Sequence, residues 1–173
     1  MTAAKAGVAA SLVPAGPQDL DIVHELRRRG TTELAKLGFD EWARRGAPGL
    51  TEQDFDAGRL HVVTEGAAVV GSVVLARGGD PALWTDEELA EPALYLDRLV
   101  IGHRLASAPL AGEVLGLVRE AAAREGLRSL RTDVWADHEV LLRSCRRLGF
   151  APVRTIDHPA AGELLLLQAP VED

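Results

Sequence analysis

The residues whose types and spacing suggest chemistry gather between Tyr95 and Arg124. Tyr95–Ile101 is dense in residues that pack well in a sheet, and Gly102–Gly112 is a run of small residues broken by His103, Arg104 and Pro109. Val114, Leu117, Val118 and Ala121 then recur at three- and four-residue spacing, with Glu113, Arg119, Glu120 and Arg124 left to face water. A strand, a compact loop and a helix N-terminus in succession can hold an anion, because the first N–H groups of a helix lack internal partners and its dipole is positive there. The plain alternative is a turn into a helix with Arg104 as a surface charge.

Other chemistries find less support. Cys145 is the single cysteine, so no internal disulfide forms, and no spaced histidine and carboxylate complete a triad with it. His24, His61, His103, His138 and His158 lack the i,i+4 spacing that would put two imidazoles on one helix face, so no metal is expected. His138 reads as a solvated or capping residue. The central loop has neither the lysine–hydroxyl ending of a Walker A motif nor the glycine spacing of a dinucleotide fingerprint. No nucleophile elbow or paired-carboxylate motif stands out.

Composition narrows the class. A chain of 173 residues is long enough for one sizeable core, and with no abrupt compositional shift residues 1–173 read as one domain. Twenty-six acidic against 19 basic residues give a formal charge of -7, which argues against a broad nucleic-acid platform. The longest apolar runs, such as Leu164–Leu167, cannot cross a bilayer, and the start lacks a secretory h-region, so a cytoplasmic protein is expected. A homodimer is compatible with this composition, which carries no signature of one.

The elements that must position the central unit follow from local pattern. Val8, Leu12 and Val13 suggest an edge strand stopped by Pro14. Asp19 can cap a helix toward Arg29 with Gly30 as its end, and Thr31 or Thr32 can begin a second helix toward Trp42. Arg27–Arg29 reads as solvated helix surface, and Thr51 with Asp54 as a cap for a short helix ending near Gly58. Leu60–Thr64 and Val69–Leu75 read as a hairpin. Thr85 and Glu88 form a capping box, and Trp84 reads as a staple or core anchor, with ligand contact as its alternative. Leu127–Val134 reads as a strand, Glu139–Arg147 as a helix that Gly149 stops before Phe150 returns to the core, and Glu163–Ala169 as the final strand. The expected architecture is α/β, a mixed sheet in which the hairpin is antiparallel and Tyr95–Ile101, its helix and Leu127–Val134 form a right-handed crossover.

Three segments carry a family resemblance: Tyr95-Leu-Asp-Arg-Leu-Val-Ile101, His103-Arg-Leu-Ala-Ser-Ala-Pro-Leu-Ala-Gly112, and Val134 to Phe150 with its Leu148-Gly-Phe150 ending. They resemble the GCN5-related N-acetyltransferase (GNAT) family. The resemblance implies a mostly antiparallel sheet flanked by helices, whose central strands splay to admit the pantetheine arm of acetyl-CoA. It also implies acetyl transfer to an amine of a small molecule or peptide, with acetyl-CoA as co-substrate. Leu99, Val100 and Ile101 would then face the acetyl and pantetheine groups. Arg104, Leu105, Ala106, Ser107, Ala108, Leu110, Ala111 and Gly112 would surround the pyrophosphate. The family loop runs Arg or Gln, two variable residues, Gly, one variable residue, then Gly or Ala; here Arg104 matches its start and Ser107 and Pro109 replace the small residues. Proline lacks an N–H, which removes one donor.

Roles for catalysis are carried over in the same way. Cys145 falls where many members place the tyrosine that protonates the departing thiolate, and His138 replaces a common asparagine; a thiol of unperturbed pKa about 8.5 can serve as a donor. The alternative for Cys145 is a small buried apolar residue. Asp97 is the best general-base candidate, and on a period of two it shares a face with Tyr95 and Leu99. Asp133 and Asp137 are less specific alternatives, and strand N–H groups near Leu99–Val100 could meet an oxyanion. The opposing reading is an acyl-CoA-binding or regulatory protein that retains the fold without turnover.

Overall fold

The computed structural model describes residues 9–36, 38, 49–102 and 108–172. Within them β1 (Ala10–Pro14), β2 (Leu60–Glu65), β3 (Ala68–Ala76), β4 (Ala93–Ile101), β5 (Ser129–Trp135), β6 (Ala151–His158) and β7 (Gly162–Pro170) form a seven-stranded sheet ordered β1-β2-β3-β4-β5-β7-β6. Every neighbouring pair is antiparallel except β4–β5, which the crossover makes parallel as expected.

Helices cover both faces. The chain enters α1 (Leu20–Lys36) and α2 (Leu50–Asp56) on one side, passes the short α3 (Asp86–Leu89), and lays α4 (Ala108–Arg124) and α5 (Glu139–Arg147) on the other. The mostly apolar sequence of β3 follows from burial on both faces. Val63, Val73 and Leu75 join the larger core with Val114, Leu115 and Val118 of α4, while Leu60, Val62 and Val74 join the smaller one with Val23 of α1. Burying each such side chain contributes about 1.5–3 kcal/mol.

The first helix departs from expectation. α1 runs through Gly30, which is buried against Val100 and serves as a point of close helix–sheet approach instead of a stop. Thr31 and Thr32 begin nothing; their hydroxyls donate back to the carbonyls of Arg27 and Arg28 at 3.0 Å each. Trp42 lies outside the described residues. Nor does Thr51 cap α2: Gly49 occupies that position, and Thr51 accepts from Arg27 Nη1 at 2.8 Å.

Two further boundaries move. α4 starts at Ala108, so Pro109 to Gly112 lie in its first turns and not in a loop before it. Proline is tolerated in the first turn, where its missing N–H would have had no helical partner. The edge strand β6 was not expected; Pro152, Arg154 and Asp157 mask its pattern, and its outer positions face water. By contrast the β2–β3 hairpin, the Thr85–Glu88 capping box and the stop of α5 at Gly149 (φ 92°) all form as read. Trp84 is buried, its ring edge-on to Tyr95 with centroids 5.7 Å apart.

Candidate active site

β4 and β5 pair only through Ala93–Ser129, Leu94–Leu130 and Tyr95–Arg131. Beyond Tyr95 the two strands part: β5 continues against β7 to Trp135, and β4 continues against β3 to Ile101. From Leu96 onward the β5-facing edge of β4 has no strand partner among the described residues, so its backbone groups are open to a ligand that can pair like a strand. The closed end is held by Arg131. Its buried guanidinium donates to Tyr95 Oη (3.0 Å), Gln168 Oε1 (2.8 Å), Glu91 Oε2 (2.6 Å) and the carbonyl of Glu88, and it lies 5.0 Å from the Trp84 ring.

A β-bulge sits on the open part of β4. Val74 pairs with Asp97 and Ser72 with Val100, so Arg98 and Leu99 together oppose Val73. Arg98 takes φ 49°, a left-handed conformation that costs a non-glycine residue roughly 1–3 kcal/mol. Its guanidinium is anchored 2.6 Å from the buried carboxylate of Asp54, which holds the strained turn in place. The bulge breaks the period of two. Leu96, Leu99 and Ile101 pack with the larger core, so Leu99 does not share a face with Asp97 as strict alternation implied. Gly71 of β3 makes the close approach possible, since a Cβ there would lie 2.7 Å from the Val100 carbonyl oxygen.

Asp97 is 56% exposed, with Oδ2 at 3.3 Å from Arg98 Nη2. Behind it, Asp54 also meets Arg59 Nη2 at 3.1 Å and Arg27 Nη2 at 3.9 Å. Arg27 departs from the solvated reading of the basic triplet. Its side chain is 14% exposed, against 67% for Arg28 and 43% for Arg29, which share Glu25. The pattern held the signal: Arg27 lies four residues after Val23 and three before Gly30, on the buried stripe of α1. Asp54 sits in a pattern that suggests a cap, and its convergence with Arg98 has no local signature.

On the other wall, Val100 and Ile101 are buried and Leu99 is half-buried. α4 begins within seven residues of Ile101 and packs Ala111 and Val114 into the same core. Its unsatisfied first-turn donors fall at Ala108 and Leu110, Pro109 having none, whereas Gly112 lies a turn inside the helix, where its N–H is expected to bond within it. Arg104, Leu105, Ala106 and Ser107 lie outside the described residues. Cys145 is buried among Val134, Leu142 and Phe150, and desolvation pushes its thiol up to about 11. His138 is buried and not solvated: it caps α5, its Nδ1 accepting the Leu141 N–H at 3.2 Å. No group of three or more metal-ligating side chains occurs among the described residues, and no described helix is long and apolar enough to cross a membrane. A cleft of about 530 Å³ bordered by Glu91, Arg128, Pro152 and Pro170 lies at the closed end of the strand pair, away from these groups.

No protein-family model matches the sequence, and no curated protein matches it. Solved structures do resemble the fold. A GNAT-family acetyltransferase from Streptococcus agalactiae superposes with a TM-score of 0.80 at 18% identity, covering 96% of this chain and 98% of the other. One from Listeria monocytogenes gives 0.75 at 18% identity over 93% and 94%. The yncA protein of Salmonella typhimurium, solved with its cofactor acetyl-CoA, gives 0.62 at 12% identity over 95% of each chain. With the parted central strands, the bulged β4 and the helix that follows it, these likenesses show that the chain has the GNAT acetyltransferase fold.

Proposed function

We propose that this protein is an N-acetyltransferase that moves an acetyl group from acetyl-CoA directly to the primary amine of a small molecule or peptide. The observation that carries the reading is the release of β4 from β5 after Tyr95, which leaves strand backbone open beside the first turn of α4. The pantetheine arm would pair along Leu99, Val100 and Ile101. The pyrophosphate would meet the N–H groups of Ala108 and Leu110 with Arg104 and its neighbours Leu105, Ala106 and Ser107; Ala111 and Gly112 would line the next turn. His138 would shape the start of α5 beside the arm.

In the reaction, Asp97 takes a proton from the acceptor ammonium, directly or through water, and the freed nitrogen attacks the acetyl carbonyl. Backbone N–H groups at the bulge near Leu99 receive the developing oxyanion. As the carbon–sulfur bond breaks, the thiolate takes a proton from Cys145, and the Cys145 thiolate so formed, which burial disfavours, is reprotonated from water. Exposure of Asp97 at the bulge supports its place as base.

The test is calorimetric titration with acetyl-CoA followed by thiol release over an amine panel. Turnover that falls about 10²- to 10⁴-fold in Asp97→Asn, with donor affinity kept, supports the reading. Absence of donor binding ends it. The missing N–H of Pro109 and the buried Cys145 also support a second reading, a regulatory protein that binds acyl-CoA without turnover, which binding with no thiol release across the panel would select.

A further inference from the structure

Around Asp54 the hydrogen bonds do not balance. Three guanidiniums, from Arg27, Arg59 and Arg98, converge on this one buried carboxylate. Asp97, largely in water, pairs with Arg98, and Glu52 on α2 adds a more distant negative charge toward Arg27. Donors are left over: Nε and Nη2 of Arg27 and Nε of Arg98 are buried and have no hydrogen-bond partner among the described residues. Leaving such groups unmade is costly, and more so when they are charged. Burial, followed by the nearness of Arg98, pushes Arg27 below the ordinary arginine value against the opposing pull of Asp54, Asp97 and Glu52. In a chain with a net charge of -7, three guanidiniums gathered at one inner position are a local feature and not a trend of the surface.

The location gives these unmet donors a meaning. Arg98 is the bulge residue of β4, next in sequence to Asp97 and Leu99, and Arg27 reaches it from the buried stripe of α1. A carboxylate and a guanidinium therefore lie 3.3 Å apart beside the open edge of β4. A molecule that complements this pair carries an ammonium for Asp97 and an anion for the arginines on the same or a neighbouring carbon. The planar fork of a guanidinium matches a carboxylate with two parallel hydrogen bonds.

We infer that Arg27 and Arg98 form the acceptor's carboxylate subsite, so that the amine substrate is a free α- or β-amino acid held with its ammonium at Asp97. The inference rests on the acetyltransferase reading for what happens to that amine, and stands on the arginine geometry for the binding itself. Docking the carboxylate supplies an acceptor to the stranded arginine donors, which are buried in the free chain and meet it once the two side chains turn outward. It orients the nitrogen toward Leu99 before proton removal. An amine without the carboxylate leaves those donors unmet and is discriminated against.

Calorimetry with the full chain, both free and saturated with CoA, reads the affinity for each of the twenty L-α-amino acids and for β-alanine, each beside its own carboxamide. Free acids are expected to bind at least about tenfold tighter than their amides, and Arg27→Gln is expected to collapse that ratio to about one while Arg98→Lys retains part of it. If a variant fails to fold, the acid-to-amide ratio of the native chain decides by itself. Equal affinity for acids and amides, no binding of either, a ratio that survives Arg27→Gln, or binding confined to phosphorylated amines overturns the inference. A chain that binds acids selectively and never binds CoA upholds the subsite and ends the acetyltransferase reading, so the two failures are told apart.

Discussion

Tyr95 and Arg131 are the last residues joining β4 to β5, and the bond that donates from the Arg131 guanidinium to the Tyr95 hydroxyl spans 3.0 Å at the point where the strands separate. The same guanidinium reaches the Glu88 carbonyl, Glu91 and Gln168, so one buried cation ties α3, β4, β5 and β7 together behind the open edge. Arg131→Ala is expected to cost about 3 to 5 kcal/mol, because it strips a satisfied buried network of its centre. Urea unfolding measures this, and a loss below 1 kcal/mol would show that the network is peripheral.

Two glycines facing the same strand should respond in opposite directions. Gly71→Ala brings a Cβ within 2.7 Å of the Val100 carbonyl, where backbone must move, and should destabilise by about 1 to 3 kcal/mol with a weakened affinity for acetyl-CoA. Gly30→Ala meets only the Val100 side chain, at 3.4 Å, and gains helix propensity, so it should be neutral or up to about 1 kcal/mol stabilising. Thermal melts of the two variants side by side check the contrast.

Pro109 leaves a gap in the ring of first-turn donors of α4. Pro109→Ala restores one N–H without altering charge, and a hydrogen bond to a charged group contributes about 1.5 to 3 kcal/mol. CoA should bind about tenfold tighter or better, and a pantetheine lacking the phosphates should bind as before. Equal gains for both ligands would place the pyrophosphate elsewhere.

Cys145 makes stability fall at high pH. Its folded pKa of about 11 stands above the 9.0 of an unburied thiol, so the folded state holds the proton more tightly. The stability it contributes is complete below pH 9 and is lost as pH rises from there through 11, a drop of about 2 to 3 kcal/mol. Denaturant midpoints across this range, compared with Cys145→Ala, isolate it. The native thiol should also resist disulfide reagents at pH 8.

At the acid end the pair of Glu88 with Arg154 acts in the reverse sense. The Arg154 hydrogen bond holds the Glu88 carboxyl down to about 2 from 4.5, so its stabilisation is present above pH 4.5 and is lost as pH falls toward 2. Solvent screening limits the amount to about 1 kcal/mol. Glu88→Gln should flatten the stability profile between those values, and an unchanged acid slope would show that other carboxylates control it.

What the sequence determined by itself was whatever short-range physics writes into neighbouring residues. The β2–β3 hairpin, the capping box at Thr85 and Glu88, the stop at Gly149 with Phe150 turned inward, and the strand–helix–strand crossover of β4, α4 and β5 all depend on periodicity, caps and turns within a few residues. The resemblance carried by Tyr95–Ile101 and Leu148-Gly-Phe150 pointed to the fold for the same reason. Tertiary structure decided the rest. Gly30 reads locally as a helix end, yet α1 passes through it, because packing of the buried stripe of α1 on the sheet beside Val100 outweighs the local stop signal. β6 is paired on one side only and carries too little apolar pattern to announce itself. The bulge at Arg98 moves Leu99 across the sheet from Asp97, since the count of residues opposite β3 cannot be read from β4 alone. Arg27, Asp54 and Arg98 meet only because the α1 stripe, α2 and the bulged strand converge, and a cluster built from partners 27 and 44 residues apart has no period to betray it.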